Sequence, residues 1–194
     1  MKSLSFLSDF NIEPLIRILK NSQSSYKISN FSFSNIHQQL IKNLNKDFSI
    51  VWINPENLFL TLIEFSNGKK LNFNKLEKEI QIFVNNILKN KINGSKVILM
   101  SFFDVNEYPQ NHDYLYKTDQ SPIFIYNYIN NKISSLIGLN DEIFFIDVNK
   151  IALKFADEYT NYKFKISTKS NFTINFYNYV GKFLIDFLNK KLIP

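Results

Sequence analysis

The 194-residue chain is 45% hydrophobic and carries 20 Phe, which supports a packed globule of one domain rather than a disordered segment. Its charge, 23 − 17 = +6, comes from scattered Lys residues without a long like-charged run, so it reads as solvated faces, not a nucleic-acid tract. The absence of Cys excludes disulfides, thiolate catalysis and Cys-bound zinc.

The first ten residues, MKSLSFLSDF, lack the apolar core of a secretory leader. No stretch approaches the ~18 apolar residues of a membrane span. A cytoplasmic chain without a membrane span is the expectation.

Residues 4–7 (LSFL) predict a short strand that ends in the turn Ser8-Asp9-Phe10-Asn11. A helix follows at once: Asn11 can cap it, Glu13 and Pro14 suit its first turn, and Leu15, Ile16, Ile18 and Leu19 form an apolar face. A strand, a polar turn and a helix N-terminus present backbone N–H groups to an anion. Residues 26–33 (YKISNFSF) alternate as a second strand, and Ser34 or Asn35 can cap a helix over 36–44 with Ile36, Leu40, Ile41 and Leu44 inward.

Residues 48–57 (FSIVWINPEN) organise the chain. Continuous β-branched and aromatic residues predict a central strand, with residues 50–53 buried on both faces. Pro55 stops the ladder and leaves Asn54 at the carboxyl end, where open parallel sheets place ligands. Residues 55–73 are ambiguous apart from the Asn67-Gly68 turn.

Residues 74–91 predict a helix with Leu76, Ile80, Phe83, Val84, Ile87 and Leu88 on one stripe. Residues 96–103 predict a fourth strand. The long loop over 104–120 holds Asp104, Glu107, His112 and Asp113, a set that matches no standard metal-ligand spacing. Ser121-Pro122 starts a helix that Gly138 stops. Residues 142–148 predict a fifth strand, followed by a helix through Ala156 and a closing helix over 171–188. The result is a three-layer α/β/α sandwich whose five-stranded parallel sheet has the flavodoxin-like order 2-1-3-4-5.

Three pieces resemble the SGNH/GDSL hydrolase superfamily: residues 6–15 (FLSDFNIEPL), 50–59 (IVWINPENLF) and 145–169. They are most similar to the atypical SGNH-like domain that precedes a haloacid-dehalogenase domain in FkbH-like proteins. Stand-alone relatives occur in surface-polysaccharide biosynthesis. The resemblance implies a nucleophilic Ser in the first turn, an oxyanion-hole Asn after the third strand, and an Asp-x-x-His before the last helix. Asn54 matches the oxyanion position. The first turn departs from the pattern: aligned on Gly-Asp-Ser, Ser8-Asp9-Phe10 puts Phe10 at the nucleophile, and Ser8 is the nearby hydroxyl. Asp157 lacks its His partner, since no His follows His112.

A serine nucleophile needs a base within hydrogen-bond reach, so the usual dyad cannot form. A rearranged pair, Ser8 with His112 as base, is the catalytic alternative. Asp9, Asn11, Asn54, Lys165 and Lys169 are the candidates for binding substrate or an oxyanion, although Ser8 and Asn11 also suit plain helix capping. Lys163, Lys165 and Lys169, interleaved with Tyr159, Tyr162 and Phe164, read first as a basic loop of a Lys-rich chain, with phosphate or sugar binding as the alternative. His37 reads as a surface residue.

Two functions follow. One is an accessory or binding module, without the standard dyad, in surface-polysaccharide or carrier-linked acyl/glyceryl metabolism. The other is an ester hydrolase or acyltransferase acting on the O-acetyl group of a glycan. The expected partners are a carbohydrate or acyl substrate and an acidic carrier protein, with no nucleic acid, metal or cofactor.

Overall fold

The computed structural model describes residues 2–22, 26–31, 36–44, 46–102, 121–138, 140–152, 154 and 170–191. Thirteen elements follow one another within them: β1 (Lys2–Ser8), α1 (Glu13–Ser22), β2 (Tyr26–Phe31), α2 (Ile36–Lys42), β3 (Phe48–Trp52), α3 (Pro55–Leu58), α4 (Leu60–Ser66), α5 (Phe73–Asn90), β4 (Lys96–Met100), α6 (Pro122–Ile137), β5 (Ile143–Ile146), α7 (Val148–Ala152) and α8 (Ile174–Lys191). The strands form one parallel sheet in the order β2-β1-β3-β4-β5, so the expected α/β/α architecture and strand order hold.

Alternation along the strands divides the interior in two. Phe6 of β1, Phe48, Ile50 and Trp52 of β3, and Ile98 and Met100 of β4 pack with α1, α7 and α8. Leu7, Val51, Val97 and Leu99 point the other way, toward α2 to α6. Because β3 is covered on both faces, all five of its residues are buried, which is why it reads as an apolar run broken only by Ser49, whose hydroxyl pairs with that of Ser5. Each Phe, Leu or Ile so buried contributes about 1.5–3 kcal/mol.

Several boundaries differ from the sequence expectation, each for a local reason. The fourth strand stops at Met100. Beyond it the Asn130 carboxamide takes over the ladder, donating to the Phe102 carbonyl at 2.7 Å and accepting its N–H at 2.9 Å. The fifth strand ends at Ile146, because the Val148 N–H turns to the Ser101 hydroxyl at 2.8 Å. The stretch after β3 forms two short helices, with the Glu79 carboxylate accepting the Thr61 N–H at the start of the second. Thr173 accepts the Phe176 N–H, so α8 begins at Ile174 and Asn171 stays outside it. Ile41, expected inward, is 60% exposed, and Leu88 lies at the margin of its stripe. By contrast, α6 spans the predicted residues, with Ser121 as its cap and Gly138 (φ 60°) as its stop.

No helix among the described residues is long and apolar enough to cross a membrane.

Candidate functional site

Parallel strands deliver their carboxyl ends to one edge. At this edge Ser8 lies beside Trp52 in the β1–β3 register, and the chain leaves β3 through Ile53 and Asn54. Ser8 is fully buried. Its hydroxyl accepts the Phe10 N–H at 3.2 Å and lies 3.1 Å from the Phe10 carbonyl, which closes a tight turn. That turn drives the Phe10 ring into the interior. The ring meets Trp52 edge-on at 5.5 Å and Phe172 at 5.7 Å, while Trp52 and Phe172 stack at 4.8 Å. An aromatic plug therefore fills the space beneath the first turn.

Asp9 faces the other way. Its carboxylate accepts the Asn54 N–H at 3.0 and 3.2 Å and the Asn57 Nδ2 at 2.6 Å, joining the first turn to the start of α3. Burial raises its pKa above the ordinary carboxylate value, against the lowering by these hydrogen bonds, and the neighbouring Glu56 adds to the rise. Glu56 in turn accepts the Tyr126 hydroxyl.

The Asn54 side chain does not cap α3, although its residue occupies the N-cap position. Its Oδ1 instead accepts the Nδ2 of Asn171 at 2.7 Å. Asn171 is buried just before α8, and adjacent groups tie its segment to the first turn. The Tyr177 hydroxyl donates to the Asn11 carbonyl at 2.9 Å, and the Ser170 hydroxyl lies 2.8 Å from Tyr177. The Asn11 side chain accepts the Glu13 N–H at 3.0 Å and so serves the start of α1. Tyr177 is fully buried, and loss of hydration raises its pKa.

Ser8, Asp9, Asn11 and Asn54 thus stand on one edge, with Asp9 bonded to Asn54, while Asn57, Asn171, Ser170 and Tyr177 join them without a signal in the sequence. His112, Lys165 and Lys169 lie outside the described residues, as do Asp104, Glu107, Asp113, Asp157 and Lys163. His37 is exposed on α2. Among the described residues no group of three or more His, Cys, Asp or Glu is placed to hold a metal ion. A small apolar cavity of about 10 Å³ lies on the opposite face, lined by Val51, Ile53, Leu99, Phe102 and Ile133 among others. It is at the lower limit of room for one water.

The fold and site define an open parallel α/β sandwich whose carboxyl edge is polar and cross-linked over an aromatic floor. In comparison with solved structures, the chain is similar to the N-terminal part of the protein BF1531 from Bacteroides fragilis, described as containing a phosphatase domain complexed with Mg. The TM-score is 0.76 at 15% identity, over 96% of this chain and 51% of that one. The chain spans about half the length of that neighbour. No family model matches the sequence, and no curated protein does.

Proposed function

We propose that the chain is an SGNH-hydrolase-like domain of the kind that precedes the haloacid-dehalogenase domain in FkbH-like proteins, and that it binds its ligand without hydrolysing it. On this reading it matches the half of BF1531 other than the phosphatase domain. Its role is accessory, in cytoplasmic surface-polysaccharide or carrier-linked acyl/glyceryl metabolism. Its ligand is a carbohydrate or acyl group, and an acidic carrier protein is its partner.

The observation that supports the reading is which side chains stand where the resemblance would put the nucleophile and the partner of Asn54. Phe10, buried in the aromatic floor, occupies the position of the nucleophile, and the side chain reaching Asn54 from before the last helix is the carboxamide of Asn171. A carboxamide cannot take a proton from a hydroxyl at neutral pH. The Ser8 hydroxyl is folded into its own turn, where its neighbours are the Phe10 N–H and carbonyl. Binding and an oxyanion site without a base leave about 10³–10⁴-fold acceleration over water, below the ~10⁶-fold at which enzymes ordinarily begin.

The test compares the wild type with Ser8→Ala and His112→Ala on p-nitrophenyl acetate, and assays p-nitrophenyl phosphate with Mg²⁺. The expected result is background turnover throughout. Robust ester hydrolysis abolished by both substitutions would establish the Ser8–His112 hydrolase instead. Mg²⁺-dependent phosphatase activity would place this chain with the other half of BF1531.

A further inference from the structure

We propose that Asn171 decides which end of the Asn54 carboxamide the carboxyl edge presents to a ligand, and so acts as its specificity-determining residue. The proposal rests on the reading that Asn54 contacts the ligand. A carboxamide has two unlike ends, an acceptor oxygen and a donor NH₂, and half a turn of its last torsion exchanges them. At Asn54 the choice is made by one partner. The Asn171 Nδ2 donates to Asn54 Oδ1 at 2.7 Å, and the Asn54 side chain makes no capping bond that could compete.

The Asn54 backbone is fixed separately, by the Asp9 carboxylate on its N–H. Its Nδ2 meets no acceptor among the described residues, and Asn54 is only half-buried. The edge therefore offers donor hydrogens at Asn54. Two carboxylates stand close by, Asp9 on the Asn54 N–H and Glu56 beside Asp9, and no cation among the described residues pairs with either. Donors beside two carboxylates favour a neutral acceptor, such as a carbonyl or hydroxyl oxygen, over an anion.

Asn171 is 5% exposed and held in place by its neighbours: the Ser170 hydroxyl donates to the Asn11 carbonyl of the first turn at 3.2 Å, and Phe172 is stacked on Trp52. It can orient Asn54 but cannot itself be the contact surface.

The experiment is side-chain amide NMR of the full chain. Asn171→Asp replaces the donor by an acceptor of nearly the same shape, so Asn54 has to invert and donate its Nδ2. Its Hδ2 pair is then expected to shift downfield at one proton and to exchange more slowly with water. Asn171→Leu, which keeps the shape and avoids a buried charge, is expected to leave the Asn54 pair averaged and fast-exchanging. Titration with N-methylacetamide is expected to move the Asn54 pair in the wild type, with acetate ineffective, and the response should be lost in Asn171→Asp. Unchanged Asn54 signals in both variants would overturn the proposal. Inversion in Asn171→Asp without a wild-type response to either probe would support the orienting role and overturn the reading of Asn54 as a ligand contact.

Discussion

The Asp9 carboxylate receives the Asn54 N–H and the Asn57 amide, yet burial outweighs both and its pKa is raised. The folded state therefore holds the Asp9 proton more tightly than the unfolded chain does. The stability this contributes is fully present below the unfolded value of 3.8 and is lost as pH rises through the higher folded value. Asp9→Asn removes that titration. Urea unfolding at pH 7 and again near pH 4 should show the wild type gaining stability relative to Asp9→Asn on acidification. A constant difference, or one of opposite sign, would mean that the hydrogen bonds and not burial dominate. Two other buried groups lack partners among the described residues, the Tyr26 hydroxyl and Thr61 Oγ1. Tyr26→Phe and Thr61→Val should be neutral or stabilising by about 1 kcal/mol, since an unsatisfied buried polar group costs about that much or more. A clear loss of stability in both thermal melts would reveal hidden partners. Asp9, Asn11 and Asn54 were legible as candidates because strand ends and turns announce themselves through Ser, Asp, Asn and Pro. Asn171 was not, because its partner lies 117 residues away and one Asn in an Asn-rich chain carries no local signal.

At the scale of elements, legibility followed local chemistry. The limits of α6 are written in Ser121-Pro122 and Gly138, and β3 in the apolar residues 50–53 that Pro55 brings to an end. The ends of β4 and β5 were not legible, because side chains from elsewhere, Asn130 and Ser101, decide them. The α2 C-terminus is another case. The Asn43 carbonyl just beyond it lies 3.3 and 3.4 Å from the Ser5 and Ser49 hydroxyls, which are paired across β1 and β3 at 2.9 Å. The crossing of α1 and α8 depends on Gly181, where an added Cβ would sit 2.8 Å from Ile18 Cγ2 and 3.5 Å from Ile18 Cβ. Alanine ordinarily improves a helix interior by about 0.8–1 kcal/mol over glycine. Here the obstacle is a β-branched side chain with little rotamer freedom, and overpacking costs about 1–3 kcal/mol. Gly181→Ala should therefore destabilise, and Ile18→Ala should rescue part of the loss. A double-mutant cycle by denaturant unfolding checks this, with an expected coupling on the order of 0.5–3 kcal/mol. Additive effects would show that the two helices do not meet at this notch.

The molecule as a whole is organised by a sheet whose two faces are covered by different helices but share every strand. Trp52, the only Trp, lies on the face covered by α1 and α8 and stacks on Phe172. Phe59 lies on the other face, against Phe83 and Phe102 with centroids at 6.1 and 5.8 Å, and belongs to the second buried cluster. Successive residues of β3 point into the two clusters in turn: Ile50 and Trp52 into one, Val51 and Ile53 into the other. If the faces fold as one unit, damage to either must appear in both. Phe59→Ala deletes a fully buried ring and should cost about 3–5 kcal/mol. For a chain of this size that lowers the melting temperature by roughly 10 °C. The deleted ring makes no ring contact with Trp52 among the described residues, so a purely local effect would leave the Trp52 environment intact. Melting followed by Trp52 emission and by far-UV circular dichroism is expected to shift by the same amount, with coincident midpoints before and after substitution. A fall in the dichroism midpoint while the Trp52 transition stays in place would mean that the α2–α6 face unfolds by itself. The carboxyl edge would then lose its Asp9–Asn57 bond to α3, while the aromatic floor under it, Trp52 stacked on Phe172, stayed in place.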